Sequence, residues 1–152
     1  MNEVRSVTVT IEVPAPFAWD VLLDYARYPD WNPFTVRVES TCQVGDPVDL
    51  YLPDPRRPGE LVHQREWVVV NDPPRQFSYE MRPTADLPVG GRRDQYLEEI
   101  GPSHCRYWTT DLFTGPHAEA VMTHSGPWVK QGFDAVAEAF RLRAQQMWAD
   151  RS

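Results

Sequence analysis

The stretch SGPWVKQGFDAVAEAFRLRAQQM, residues 125–147, holds the pattern that decides the fold. Its apolar side chains recur at steps of three, four and seven residues, the spacing of one helix face: Val129, Phe133, Val136, Phe140 and Met147. Ser125 is a suitable N-cap, and Pro127 suits an early helical position. We therefore predict one helix of about 22 residues, roughly 33 Å long, that buries this face against the rest of the chain.

The chain before this helix shows the period-two alternation of strands that have one buried face. Strand character occurs in seven stretches, which are residues 6–13, 34–44, 47–52, 61–70, 76–82, 93–100 and 104–114. In the first of them, the side chains expected to point inward are Val7, Val9, Ile11 and Val13. Residues 17–28 carry apolar side chains at helical spacing, which predicts one or two short helices after the first strand.

Turn-forming residues separate the later strands, so strands that follow one another are expected to pair as hairpins. Such turns lie at residues 45–46, 71–74 and 101–103, whereas residues 53–59 contain three prolines and should form a loop. Residues 83–91 and 115–126 are expected to be loops long enough to act as mobile lids. The element order predicts an α+β meander of about seven antiparallel strands followed by one long helix.

Length and charge argue against several classes of protein. With 152 residues, the chain is expected to form a single domain over residues 1–152. A formal net charge of −7 argues against nucleic acid as a partner. The chain has neither the apolar core of a signal peptide nor a run of about 18 apolar residues, so we expect a cytoplasmic protein without stable membrane insertion.

Metal-ligand spacing is not found around the histidines. His104, His117 and His124 have no carboxylate or cysteine placed as a partner ligand, so we expect no metal site. Nucleotide-binding glycine motifs are also missing, and no cofactor is predicted.

Several stretches of the chain resemble the START/polyketide-cyclase (SRPBCC) superfamily. The resemblance begins with APFAWDVL at residues 15–22 and DYARYPDWNPF at residues 24–34, and it continues through VNDPPRQF at residues 70–77. Phe113-Thr114-Gly115 and Gly132-Phe133 extend it over essentially the whole chain. It implies the helix-grip fold, in which a curved sheet wraps around the C-terminal helix and leaves a deep apolar cavity. Members include lipid carriers, quinone and flavonoid binders, polyketide aromatase/cyclases and co-chaperone-like modules.

Strand alternation and the apolar helix face together predict which side chains line this cavity. The predicted ligand-binding residues are Phe34, Val36, Leu50, Leu52, Phe77, Tyr79, Met81, Tyr107, Thr109, Asp111, Phe113, Val129, Phe133, Val136 and Phe140. The resemblance adds Trp31, close to the entrance.

Polar residues on an inner face are informative, because burying one without a partner costs about 1–3 kcal/mol. Asp111 lies on the inward parity of its strand, and Tyr79 and Tyr107 are placed to donate hydrogen bonds to a ligand. The strand 61–70 is ambiguous. One face presents Gln64 and Glu66 and is favoured because Val68 and Val70 continue it, and the other presents His63, Arg65 and Trp67.

Three functions follow as hypotheses. The first is binding of a small hydrophobic molecule, such as a lipid, an isoprenoid or quinone, or a polyketide-like aromatic. The second is an aromatase/cyclase or dehydratase that needs no cofactor. Its candidate catalytic residues are Asp111 or Glu66 as the base and Tyr79 or Tyr107 as the proton donor. The third is a protein-interaction adaptor that uses the surface of the fold.

Overall fold

The computed structural model describes residues 1–86 and 88–151. Its strands are β1 (Glu3–Arg5), β2 (Val9–Ile11), β3 (Arg37–Ser40), β4 (Pro47–Pro53), β5 (Leu61–Asp72), β6 (Gln76–Met81), β7 (Gly90–Gly101) and β8 (His104–Thr114). Its helices are α1 (Ala15–Leu23), a 3₁₀ turn (Tyr25–Arg27), α2 (Tyr28–Trp31) and α3 (Ala118–Asp150). The order of elements agrees with the predicted α+β meander.

All strand pairs are antiparallel, and the sheet runs in the order β1-β8-β7-β6-β5-β4-β3, with β2 also paired to β8. The helix α3 packs on β8, β1 and β2 and contacts α1. This arrangement is a curved sheet that holds the long C-terminal helix, as the helix-grip fold requires. Among the described residues, no helix is long and apolar enough to cross a membrane.

Within the described residues the sheet has eight strands rather than about seven, because β1 (Glu3–Arg5) precedes the predicted first strand 6–13, which is itself shortened to β2 (Val9–Ile11). The segment between these two strands begins at Ser6. The backbone N–H of Ser6 donates to the Thr109 carbonyl at 2.9 Å, and the Ser6 hydroxyl accepts from the Thr109 N–H at 3.0 Å. The next N–H, that of Val7, donates to Asp134 Oδ1 on α3 at 2.7 Å. Val7 is therefore turned outward and is 45 % exposed, so its predicted inward position was wrong.

The helix α3 begins at Ala118 and has 33 residues, whereas the sequence pattern predicted a start near Ser125 and a loop over residues 115–126. Pro127 consequently lies inside the helix. It removes one backbone hydrogen bond, but the start of α3 contains good helix formers, namely Ala118, Glu119, Ala120 and Met122. The N-terminal extension supplies part of the cavity described below.

The predicted ends of the strand that became β3 also differ from the observed ends, because a side chain on one side and a turn on the other interrupt the backbone hydrogen bonds between strands. Before β3, the side-chain oxygen of Asn32 accepts the N–H groups of Phe34 and Thr35 at 3.0 and 2.9 Å, which holds these residues outside the strand. After β3, Cys42 has a positive φ of 65°, a turn conformation. The predicted strand 34–44 is therefore only four residues long.

Candidate functional site

A cavity of about 290 Å³ lies between the concave face of the sheet and the N-terminal half of α3. Most of its wall is apolar, and this part consists of Phe34, Leu50, Leu52, Met81, Val89, Phe113, Val121, Trp128, Val129 and Phe133. The polar part consists of Thr35, Gln64, Glu66, Tyr79, Arg93, Asp111 and Ser125, and Gly90 and Gly91 complete the lining. Apolar pockets with a few polar groups are typical of ligand sites.

One end of the apolar wall is built around Phe34. Its ring packs edge-on against Trp128 at 4.9 Å and against Phe133 at 6.0 Å between ring centroids. Gly132 makes this approach to α3 possible, because a Cβ at that position would lie 2.4 Å from Phe34 Cδ1. The Gly132-Phe133 pair noted in the sequence thus serves to seat an aromatic ring against the helix.

Nine of the predicted ligand-binding residues lie on the cavity wall, namely Phe34, Leu50, Leu52, Tyr79, Met81, Asp111, Phe113, Val129 and Phe133. Five others are buried in the packed core away from the cavity, namely Phe77, Tyr107, Thr109, Val136 and Phe140. The alternation along each strand identified the side chains on the inner face of the sheet, but not which of them border the cavity and which lie in the packed core. Farther along α3 the helix meets the sheet directly, and side chains such as Tyr107 and Phe140 fill the space with ring centroids 4.9 Å apart.

Trp31 and Val36 also lie off the cavity wall. Trp31 stacks on Phe140 with ring centroids 5.9 Å apart and contacts Tyr28 edge-on, so it is partly buried and packs against the core. Val36 is half-buried, and its neighbour Thr35 faces the cavity instead. The side-chain amide oxygen of Asn32 holds the backbone of Thr35 in this position.

The ambiguous strand β5 turns its Gln64 and Glu66 side chains toward the cavity, the face that the sequence favoured. On the opposite face, His63 and Arg65 both bond to Asp49 Oδ1 on β4, each at 2.8 Å. Gln64 Nε2 donates to Glu66 Oε2 at 2.8 Å, so the amide orients the carboxyl group.

Arg93 is the central polar group of the site and was not predicted as a site residue. Its side chain is 5 % exposed, with Nε donating to Thr109 Oγ1 at 3.0 Å and Nη1 donating to the Tyr79 hydroxyl at 2.8 Å. The guanidinium carbon lies 4.3 Å from the centroid of the Phe133 ring. Nη2 is buried and has no hydrogen-bond partner within the part of the chain that the structure describes.

Two acids share the cavity with this cation. Burial, together with the nearby Asp111, raises the pKa of Glu66 to about 8. Burial likewise raises the pKa of Asp111 to about 7, although the positive charge of Arg93 acts in the opposite direction. Removal from water disfavours the charged form of a carboxyl group, so both acids hold their protons more tightly than exposed acids do.

The two candidate tyrosines differ in position. The Tyr79 hydroxyl lies on the cavity wall and accepts from Arg93, and burial raises its pKa. Tyr107 is buried away from the cavity, and its hydroxyl donates to Gln95 Oε1 at 2.8 Å. Of the four candidate catalytic residues, Glu66, Tyr79 and Asp111 therefore share one cavity and Tyr107 lies outside it.

The register of the hairpin formed by β7 and β8 explains why Arg93 was not predicted, although it pairs with the predicted site residue Asp111. Residues directly opposite one another in a hairpin project to the same face. Counting outward from the turn pair Gly101–His104, however, pairs Arg93 with Leu112 and places it on the outer face. An irregularity between Glu99 and Gly101 shifts the register by one residue and turns Arg93 inward.

Among the described residues, no group of three or more His, Cys, Asp or Glu side chains is arranged to hold a metal ion.

Three solved structures illustrate what the fold resembles. The aromatase/cyclase Zhui from Streptomyces sp. R1128 has a TM-score of 0.75 at 22 % identity, covering 96 % of this chain and 94 % of that one. A START superfamily protein from Mycobacterium smegmatis has a TM-score of 0.67 at 16 % identity, covering 95 % and 98 %. A norcoclaurine synthase point mutant from Thalictrum flavum, in complex with a transition-state analogue, has a TM-score of 0.66 at 17 % identity, covering 96 % and 95 %.

No curated protein sequence matches the chain at a significant level. A family model described as polyketide cyclase/dehydrase and lipid transport matches residues 4–145, which is nearly the whole chain. The superfamily resemblance and the helix-grip fold expected from the sequence are therefore confirmed. The helix-grip fold and the family match together indicate a protein of the ligand-binding or polyketide-cyclase type. The chain belongs to the polyketide cyclase/dehydrase and lipid transport family.

Proposed function

We propose that this protein binds a small, mostly apolar ring compound in the cavity between its sheet and α3. The observation that carries the proposal is the cavity itself, because ten apolar side chains line it and its polar groups include the Arg93–Tyr79 pair. Burial of apolar ligand surface contributes about 25 cal/mol per Å². The polar groups would then fix the orientation of the ligand rather than supply most of its affinity.

The size of the cavity narrows the class of ligand. A volume of about 290 Å³ equals roughly ten water molecules at about 30 Å³ each. That space suits an aromatic or fused-ring molecule and is too small for a lipid with two long acyl chains. Aromatic rings in the wall, those of Phe34, Phe113, Trp128 and Phe133, favour a ring compound further through edge-on and stacked contacts.

A titration with neutral aromatic alcohols of increasing ring number tests this proposal. Naphthylmethanol, followed by the change in tryptophan fluorescence that Trp128 should report, is expected to bind with a Kd on the order of 10–100 µM. Benzyl alcohol should bind more weakly because it buries less surface. Trp128→Phe should remove most of the fluorescence change, while calorimetry still detects binding.

A blocking variant shows whether the ligand occupies this cavity. Gly91 lies on the wall, and a Cβ there would make ordinary contacts with Asp111 Oδ1 at 3.7 Å and Phe113 Cδ1 at 3.9 Å. Gly91→Leu should therefore fold, fill the cavity and abolish binding. The control is Gly101→Leu at the far end of the same strand, where the only described atom within 4 Å of an added Cβ is His104 Nδ1 at 3.8 Å. Equal binding by both variants would place the ligand elsewhere.

A second candidate function is aromatase/cyclase activity, favoured by Glu66, Asp111 and Tyr79 lying on one wall. A general base works best when its pKa is near the working pH, and burial raises the pKa of Asp111 to about 7. In an aldol closure, an ionised acid would remove a proton from the carbon between two ketones, and the Tyr79 hydroxyl would hydrogen-bond the oxygen on which charge develops.

Turnover of a short poly-ketone substrate separates the two functions. Cyclase activity requires that Asp111→Asn lower kcat by about a hundredfold or more while ligand affinity changes little. A wild-type protein that binds the aromatic product but does not accelerate closure would leave binding as the function.

A further inference from the structure

We propose that the ligand carries one carboxylate group, which pairs with the guanidinium of Arg93, and that its binding is coupled to proton uptake by Glu66 and Asp111. This inference rests on the proposed ligand-binding function and names the chemical class of the ligand. It follows from how Arg93 is surrounded.

The hydrogen-bond partners of Arg93 are neutral. Nε and Nη1 donate to the hydroxyl groups of Thr109 and Tyr79, and the flat face of the guanidinium lies over Phe133. Arg93 makes no ion pair within 4.0 Å among the described residues, and its Nη2 has no hydrogen-bond partner there. A buried cation is costly unless it is paired, and an arginine is suited to a planar oxyanion.

Several ionisable groups surround the guanidinium. They are Glu66 on β5, Tyr79 on β6, Tyr107 and Asp111 on β8, and Tyr25 and Tyr28 from the short helices. The adjacent Asp94 lies on the other face of β7 and bonds to Ser78 and Arg92 there. Among the described residues, α3 contributes only Val121, Ser125, Trp128, Val129 and Phe133 to the cavity wall, and none of these ionises as an acid or base.

Glu66 and Asp111 are thus the acids able to neutralise Arg93 from within the cavity. Burial raises the pKa of both carboxyl groups, to about 8 for Glu66 and about 7 for Asp111, so protonated forms of both acids dominate below about pH 7. At such pH values Arg93 leaves the cavity with a net positive charge, which favours an anion. An anion placed beside the two acids raises their pKa further, because like charges disfavour the ionised form.

The coupling between proton uptake and ligand binding determines whether the affinity rises or falls with pH. The complex holds more protons than the free protein, so binding an anion takes up protons and the affinity falls as the pH rises. A carboxylate ligand has an ordinary pKa near 4 and stays ionised throughout the window, so its own titration does not contribute. A neutral ligand of the same shape should show little dependence on pH.

Calorimetric titrations with naphthoate and naphthylmethanol test the inference on the wild-type protein. At about pH 6, naphthoate should bind at least tenfold more tightly than naphthylmethanol. Between about pH 6 and about pH 9 its affinity should fall by roughly tenfold or more. Titrations in two buffers of different ionisation enthalpy should show net proton uptake for naphthoate and none for naphthylmethanol.

Variants assign these effects to residues. Arg93→Gln should abolish the preference for naphthoate. Arg93→Lys, which keeps a charge, provides a second variant in case the first does not fold, and it should keep part of the preference. The pair Glu66→Gln and Asp111→Asn should retain binding of naphthoate and lose its pH dependence.

The outcomes separate this inference from the proposed function. Equal affinity for naphthoate and naphthylmethanol, without pH dependence, would overturn the anion inference and leave the binding function standing. Tighter binding of naphthylmethylamine than of naphthoate would also overturn it. Failure of both naphthoate and naphthylmethanol to bind would count against the binding function itself.

Discussion

Arg93 on β7 lies directly opposite Asp111 on β8, and both side chains line the same cavity without forming an ion pair within 4.0 Å. Two hydroxyl groups, from Thr109 and Tyr79, hold the guanidinium instead. A buried cation without an ion-pair partner contributes little to stability, since replacing buried charged groups by apolar side chains of similar volume is often neutral or stabilising. Its presence is better explained by recognition of a ligand.

Replacing Arg93 by methionine should separate stability from binding. Methionine has a similar length and no charge to desolvate, so Arg93→Met should unfold at the same or a higher urea concentration than the wild type. Its affinity for naphthoate should fall by tenfold or more. Urea unfolding and calorimetry on the same preparation measure both effects. A large loss of stability with unchanged affinity would show that Arg93 serves the fold instead.

The pH dependence of stability should reveal the buried acid Glu66. Burial raises its pKa to about 8 in the folded protein, whereas the unfolded chain has the ordinary value near 4.3. Between these values the folded state holds the extra proton, so Glu66 lowers stability as the pH rises through this window. Glu66→Gln should remove a pH-dependent loss on the order of 3–4 kcal/mol between about pH 5 and about pH 8.

The control for this measurement is Glu98→Gln. The Glu98 side chain is 51 % exposed and pairs with Arg106 at the surface, so the variant should keep the wild-type slope. Identical slopes in the wild type and Glu66→Gln would show that the acid is not desolvated in the folded protein.

Gly132→Ala should destabilise the protein through Phe34. The added Cβ would lie 2.4–2.6 Å from three atoms of the Phe34 ring, which must then leave its position against α3. We expect a loss of about 1–3 kcal/mol in the free energy of unfolding, typical of overpacking. Gly126→Ala in the same helix is the control, because its nearest neighbour is the flexible end of Met122 at 3.1 Å. Helix propensity should make that variant neutral or slightly more stable. Equal effects would contradict the packing of Phe34.

The sequence pattern predicted much of this fold, because successive side chains of β4, β6 and β8 alternate between the two faces of the sheet. Counting every second residue therefore identified the inner face of each strand. The residues Leu50, Leu52, Tyr79, Met81, Asp111 and Phe113 lie on the cavity wall for that reason. Where the ladder is irregular, counting failed. One irregularity near Ile100 turns Arg93 inward, and β5 has another between Val68 and Val70.

Other features depend on contacts between distant residues, which periodicity does not report. The outward turn of Val7 is tied to Thr109 and Asp134, each more than a hundred residues away in the chain. The boundary between open cavity and filled core depends on how closely α3 approaches the sheet. For that reason Phe77 and Phe140 lie in the packed core although they share the predicted faces.

Native mass spectrometry of the purified protein, followed by organic extraction, tests the central claim most directly. The account predicts that the wild type and Gly101→Leu retain a small ring compound with an acidic oxygen group at about one molecule per chain, and that Gly91→Leu loses it. An adaptor that acts through its surface would carry no such molecule. A wild type found empty, and not stabilised against heat by either naphthoate or naphthylmethanol, would contradict the account.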